Sequence, residues 1–187
     1  MLRAVAVALV VAGVAAGADP DYDSARAKIA SIEEDRAAPG SRIWLSSQEL
    51  NAYGKREALE EVPRGLRDPR LVLGPGWATG SAMVDLLKVR ELKGPRPGGL
   101  LAWFLSGERP VEATANVQSG QGRATVIVQQ ATISGVAVQG ALLDFLISNF
   151  LLPFYPEAKI GRPFELKHNV ERFEIGPNGV TVVIAGR

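Results

Sequence analysis

The sequence of 187 residues contains no cysteine and only one histidine, His168. Disulfide bonds, thiol nucleophiles, cysteine zinc sites and cysteine-bound iron–sulfur clusters are therefore excluded. An excess of one charge is also missing, because 21 basic residues stand against 20 acidic ones. Such a balance gives no indication of nucleic-acid binding. With 47% apolar and 22% charged residues, the composition is that of a globular chain of about one domain.

Catalytic motifs are missing as well. The sequence has no Gly-x-Ser-x-Gly motif, and His168 is the one imidazole that a catalytic triad could use. The glycine-rich stretch 74–80 lacks the Lys-Ser/Thr pair of a P-loop, and it precedes a predicted strand rather than a helix. We therefore expect a protein that is not an enzyme and that binds no metal or cofactor. A hydrolase with two close carboxylates is the third hypothesis.

Residues 1–18 have the layout of a secretory signal peptide. Arg3 precedes an apolar run that begins at Ala4, and Ala16-Gly17-Ala18 is a small-residue cleavage site. The run is shorter than the ~20 apolar residues that a membrane-spanning helix needs, and an uncleaved anchor is the alternative. The sequence thus predicts export to the periplasm or the extracellular space, with cleavage near Ala18.

The chain after the signal divides into an N-terminal helix with a connector, residues 19–45, and a single α+β domain, residues 46–187. Helical spacing of apolar residues predicts one narrow buried stripe on the first helix, formed by Tyr22, Ala25, Ile29 and Ile32. Ser46 and Glu49 form a capping box, which predicts the start of a second helix.

Paired β-rich segments follow the helices: 71–73 with 77–85, 111–118 with 123–133, and 164–175 with 180–184. Apolar and polar residues alternate in 111–118, as in a half-buried strand. Asn178-Gly179 is a strong hairpin signal. We predict an α+β fold with a strongly curved antiparallel sheet of about six strands, rich in hairpins. The N-terminal helices and a helix over 140–153 are expected to pack on its concave side.

Two blocks, 100–105 and 141–155, carry more bulky apolar side chains than short helices need for packing. One interpretation is that they fill the open side of the curved sheet as core. The other is that they line a groove for an acyl chain, because ligand sites are concave and mostly apolar. Small residues on the strands would leave room inside: Ala78, Gly80, Ala82, Ala113, Ala115 and Ala124. The predicted lipid-binding residues are Trp103, Phe104, Leu142, Phe145, Leu146, Phe150, Leu151, Phe154 and Tyr155.

Five short motifs occur in order over residues 46–184. They are Ser47-x-Glu49-Leu50-Asn51, Asp68-Pro69-x-Leu71, Gly80-x-Ala82-x-Val84-Asp85, Ile133-x-Gly135-Val136-x-Val138 and Pro163-Phe164-x-Leu166. In this order they resemble the small secreted bacterial proteins of the LmeA and YpmS type, which are similar to the tubular lipid-binding (TULIP-like) superfamily. The resemblance implies a long curved sheet wrapped against helices and a role at lipids or membrane surfaces. It supplies no catalytic residues.

The leading hypothesis is therefore a non-enzymatic protein of the cell envelope that binds or transfers an apolar ligand, expected to be a lipid. Contact with a membrane surface is part of this expectation, and binding of nucleic acid is not. The alternative is an envelope scaffold or interaction protein that docks a partner through the apolar surface of residues 140–155.

Overall fold

A computed structural model describes residues 19–61, 65–91, 106–152 and 160–186. The helices are α1 (Pro20–Glu33), α2 (Ser47–Glu61), α3 (Leu86–Glu91) and α4 (Gly140–Leu146), and α4 continues as a π-helical turn at Ile147–Leu151. The strands are β1 (Arg42–Ser46), β2 (Leu66–Gly74), β3 (Trp77–Asp85), β4 (Glu108–Gly120), β5 (Arg123–Ile133), β6 (Val136–Ala137), β7 (Phe164–Glu165), β8 (Val170–Gly176) and β9 (Gly179–Ile184).

The strands form two antiparallel sheets. Strands β2, β3, β4, β5 and β6 lie side by side in this order, and β7 also pairs with β5. The predicted α+β class and the antiparallel sheet of about six strands are thus confirmed. The first two predicted hairpins are present. The predicted strand 164–175 is divided, because residues 164–165 form β7 and pair with β5, whereas β8 pairs with β9. The hairpin β8–β9 lies in a separate three-stranded sheet, in which β1 pairs with β9 over five residues.

Helix α1 packs on the three-stranded sheet through its predicted stripe. Tyr22, Ala25, Ile29 and Ile32 are all buried, as their spacing predicted. Ala25 and Ile32 belong to a core cluster with residues of all three strands: Leu45 of β1, Val170 of β8, and Val182 and Ile184 of β9. The N-terminus of α1 is capped by Asp19, whose side chain accepts from the backbone N–H groups of residues 21 and 22. A short amphipathic helix is stabilised here mainly by this burial.

The predicted capping box at the start of α2 is confirmed. The backbone N–H of Glu49 donates to the Ser46 hydroxyl at 3.1 Å, and the Ser46 N–H donates to Glu49 Oε2 at 2.8 Å. The other carboxylate oxygen of Glu49 accepts from the Ser24 hydroxyl and the Lys28 ammonium of α1, both at 2.5 Å. The single carboxylate therefore caps one helix and holds the other against it.

Asn51 connects α2 to the edge of the six-stranded sheet. Its Nδ2 donates to the carbonyl of Leu71 at 2.8 Å, and the Leu71 N–H donates to its Oδ1 at 2.7 Å. The side-chain amide thus satisfies backbone groups that an edge strand would otherwise leave open. A second connection lies at the end of β4, where the Ser119 hydroxyl bonds to both the N–H and the carbonyl of Phe173 on β8.

Replacing Asn51 by alanine should lower the free energy of unfolding by about 2 kcal/mol, because both Leu71 backbone groups lose their partner. The loss would appear as a lower midpoint in urea unfolding followed by circular dichroism. Gln48→Ala, at an exposed position three residues earlier in the same helix, should change the midpoint little. Equal effects of the two substitutions would contradict the role of the Asn51 amide.

Glu49 should make stability depend on acidic pH. Burial alone would raise the pKa of Glu49, but hydrogen bonds from Lys28, Ser24 and Ser46 outweigh it and hold this pKa at about 2. The stabilisation is therefore complete above the unfolded pKa, near 4.5, and is lost as the pH falls towards 2. Between pH 5 and pH 2.5, Glu49→Gln should lose roughly 2–3 kcal/mol less stability than the wild type.

The check is urea unfolding at several pH values. Glu112→Gln, which removes an exposed carboxylate on β4, is the matched control and should keep the wild-type pH dependence. A Glu49→Gln variant whose stability falls with pH as steeply as that of the wild type would refute the assignment.

Candidate functional site

The register of the six-stranded sheet separates a polar face from an apolar one. Paired residues on neighbouring strands share a face, and the face alternates at each step along a strand. The polar face carries a row of Ser81, Glu112 and Thr132. In the next row the hydroxyl groups of Thr79 and Thr114 lie 2.7 Å apart. The candidate site lies on the opposite, apolar face.

Small residues form the centre of the apolar face. One row across four strands consists of Leu71, Gly80, Ala113 and Ala131, and the next consists of Leu73, Ala78, Ala115 and Val128. Gly80 and Ala113 are exposed, and a Cβ atom built on Gly80 would meet no atom within 4 Å. We call this open floor the trough; it is formed by Leu71, Ala78, Gly80, Ala82, Ala113, Ala115, Val128 and Ala131.

Helices α3 and α4 close one end of the trough. Half-buried Leu142, Phe145 and Leu146 of α4 pack against a core cluster that contains Val84 and Val138. This cluster also takes in Ala82 and Ala131, two residues of the trough. The helix therefore stands directly beside the open floor, where its side chains form an apolar wall.

The three-stranded sheet and β7 close the other end. Ala124 of β5, only 3% exposed, pairs with Phe164 of β7, and Ser119 beside it is bonded to Phe173. Phe164 and Phe173 line an apolar cavity of about 190 Å³ together with Ile32 of α1. The trough is thus bounded at both ends and open over its central strands.

The structure brings together three of the nine predicted lipid-binding residues. Leu142, Phe145 and Leu146 lie on one helix and contact one core cluster. Trp103, Phe104, Phe154 and Tyr155 lie outside the described residues, and for Phe150 and Leu151 the backbone alone is described. The six small strand residues share one face, but Ala124 lies at its buried end and adds no open space.

Sequence reasoning missed Leu71, Val128 and Ala131 as part of the site. The register of β5 shifts between its pairings with Thr114 and Ala115, so Gln129 is an extra residue in a β-bulge. This shift places Ala131, rather than Gln130, opposite Ala113. The signal in the sequence is the pair Gln129-Gln130, two consecutive polar residues directly after the apolar run 126–128.

Two side chains whose pKa is raised by burial, Glu57 and Tyr53, lie between α1 and α2 and away from the trough. Burial, followed by the nearby Glu60, raises the pKa of Glu57, whose carboxylate accepts from the Tyr22 hydroxyl at 3.4 Å. Burial and the charge of Glu57 raise the pKa of Tyr53 to about 12. The Tyr53 ring stacks on that of Tyr22 with centroids 5.9 Å apart. The cluster joins two helices, and no element of the trough contributes to it.

His168 lies on the loop before β8, with its Nδ1 3.4 Å from Asp35 Oδ1. Within the described ranges, no group of three or more histidine or acidic side chains could hold a metal ion. In the same part of the chain, no helix has both the length and the apolar content that crossing a membrane requires. No family model, curated protein or solved structure matches the chain.

The open space above Gly80 can be tested by adding a side chain. Gly80→Val should fold and gain about 0.5–1 kcal/mol, because valine favours an extended strand and meets no neighbour. Gly74→Val should instead lose about 1–3 kcal/mol, since a Cβ atom there would overlap Cε2 of Trp77. Thermal unfolding of both variants is the measurement. A Gly80→Val variant as unstable as Gly74→Val would show that the trough is filled.

Proposed function

We propose that this chain is an exported, non-enzymatic protein of the cell envelope that binds or transfers a lipid, with the trough as the contact surface for an acyl chain. The observation that carries the proposal is the glycine and alanine floor, open above Gly80 and Ala113 on the apolar face of the sheet. A plain core face would be filled by larger side chains, because protein interiors are close-packed.

The dimensions of the trough suit a hydrocarbon chain. Its rows cross four strands, and with neighbouring strands about 4.8 Å apart the floor is about 14 Å wide. Each methylene group that leaves water for this surface contributes about 0.8 kcal/mol. Most polar side chains of these strands lie on the other face, which also carries Val72 and Ile127. An acyl chain would therefore meet apolar atoms along the floor and at the α4 wall.

Two finer features of the proposal are predictions. One is a strongly curved sheet that wraps its ligand, as the resemblance to TULIP-like proteins implies; in the described residues neither sheet is strongly curled. The other is the contribution of Trp103, Phe104, Phe150, Leu151, Phe154 and Tyr155 to the lining. The position of α4, which precedes 153–159, at the wall of the trough supports this second feature.

One observation favours the alternative, an interaction protein that docks a partner through residues 140–155. No residue of α4 is fully buried, so the helix presents apolar surface beyond what its packing covers. Exposed apolar patches mark partner sites as well as lipid sites. The two functions differ in where the contact lies: on the floor at Gly80 for lipid, and on α4 alone for a partner.

Native mass spectrometry of the chain from Asp19, purified without detergent, tests the proposal. The wild type should carry lipid in a near one-to-one amount. Gly80→Leu should carry at least tenfold less, because the leucine side chain would occupy the floor. Gly120→Val is the matched control: it adds a side chain into open space on the opposite face and should keep the lipid.

Phe145→Asp should also abolish lipid co-purification, but it is the less specific test because Phe145 packs against the core. Its unfolding midpoint must therefore be measured in parallel. A wild-type protein that carries no lipid and gains none on addition would overturn the proposal and favour partner docking. Lipid retained in Gly80→Leu would place the binding site elsewhere.

A further inference from the structure

A small cavity lies where α2 crosses the edge strand β2. It has a volume of about 180 Å³, and its lining includes Leu50, Gly54 and Leu71. Gly54 leaves it open, because a Cβ atom there would meet nothing within 4 Å. The Asn51 amide, which is bonded to the Leu71 backbone, also lines it. We call this cavity, formed between residues 50–55 and 69–71, the notch.

Two cationic side chains line the notch, Lys55 from α2 and Arg70 from β2. Both residues are exposed, and neither forms an ion pair in the described part of the chain. The neighbouring arginines differ, since Arg56 pairs with Glu60 and Arg67 with Glu108. Asp68, close to Arg70 in sequence, does not line the notch. Arg70 also lines a neighbouring cavity with Asp68 and Glu112, at longer range than an ion pair. The notch therefore offers two cationic side chains without a direct ion-pair partner over an apolar base.

The notch adjoins the trough through Leu71. This residue lines the notch, and it also begins the row of Leu71, Gly80, Ala113 and Ala131 across the apolar face. A chain lying along that row would reach the sheet edge at Leu71. Arg70 pairs with Ser81 and so begins on the opposite face, but it also lines the notch at the strand edge. The end of the chain would come to this edge, where Leu71, Lys55 and Arg70 line one cavity.

We propose that the notch binds the anionic head group of an amphiphile, a carboxylate or a phosphate, whose hydrocarbon chain lies in the trough. This inference rests on the proposed function and names its ligand class: single-headed anionic lipids rather than neutral ones. Arginine suits such groups because its planar guanidinium can hold two oxygens at once, and lysine adds a mobile point charge.

The test compares three ligands with the same twelve-carbon chain, namely dodecanoate, dodecyl phosphate and dodecanol. Their affinities are measured by calorimetry below the micellar concentration. The wild type should bind the two anionic ligands about tenfold more tightly than dodecanol, as expected for two partly exposed charges. In Lys55→Gln/Arg70→Gln this preference should vanish, while dodecanol binding stays unchanged. Higher salt should weaken the preference in the wild type.

Arg123→Gln/Arg162→Gln is the control, because it removes the same charge from exposed arginines that do not line the notch. It should keep the wild-type preference. Equal affinities for all three ligands, or a preference that survives in Lys55→Gln/Arg70→Gln, would overturn the inference and leave lipid binding in place. Failure of the wild type to bind any of them would overturn both. Inorganic phosphate that binds as tightly as dodecyl phosphate would show a free-ion site instead.

Discussion

The bond pair between the Asn51 amide and the Leu71 backbone joins the two halves of the molecule at the edge of β2, where the rest of the candidate site begins. Through it, the helix that belongs to the three-stranded sheet closes the open edge of the six-stranded one. The same pair holds Leu71 at the start of the trough and places α2 so that Lys55 and Arg70 line one cavity. An amide is suited to this position, because one side chain supplies both a donor and an acceptor with the spacing of a backbone peptide.

Local patterns allowed much of the fold to be predicted. The stripe from Tyr22 to Ile32, the Ser46–Glu49 capping box and the hairpin around Asn178-Gly179 depend on residues within a few positions of one another. Each is stabilised by contacts within a single turn or along one helix face, so a short stretch of sequence is enough to predict it. The face shared by Ala78, Gly80 and Ala82 follows in the same way from the alternation of one strand.

Contacts between distant residues could not be predicted in this way. The pairing of β1 with β9 joins segments more than a hundred residues apart, and it forms, with β8, a sheet separate from the larger one. Helix α3 has six residues, too few for a periodic pattern to show. The bond of Asn51 to Leu71 depends on where a helix meets a strand edge. The residues around an asparagine in a helix do not identify the strand that it will contact.

The bulge at Gln129 determines which residues in the second half of β5 face the trough. Before it, Ala124, Val126 and Val128 face the trough; after it, Ala131 and Ile133 do so. The same residues paired without the bulge would continue the alternation, and Gln130 would then lie opposite Ala113 and face the floor. Loss of one glutamine would instead leave Ala131 on the floor, because the remaining glutamine would pair with Thr114. The apolar character of this face therefore depends on a backbone irregularity as well as on side chains, and a related chain without the bulge would need one residue fewer to keep the same surface.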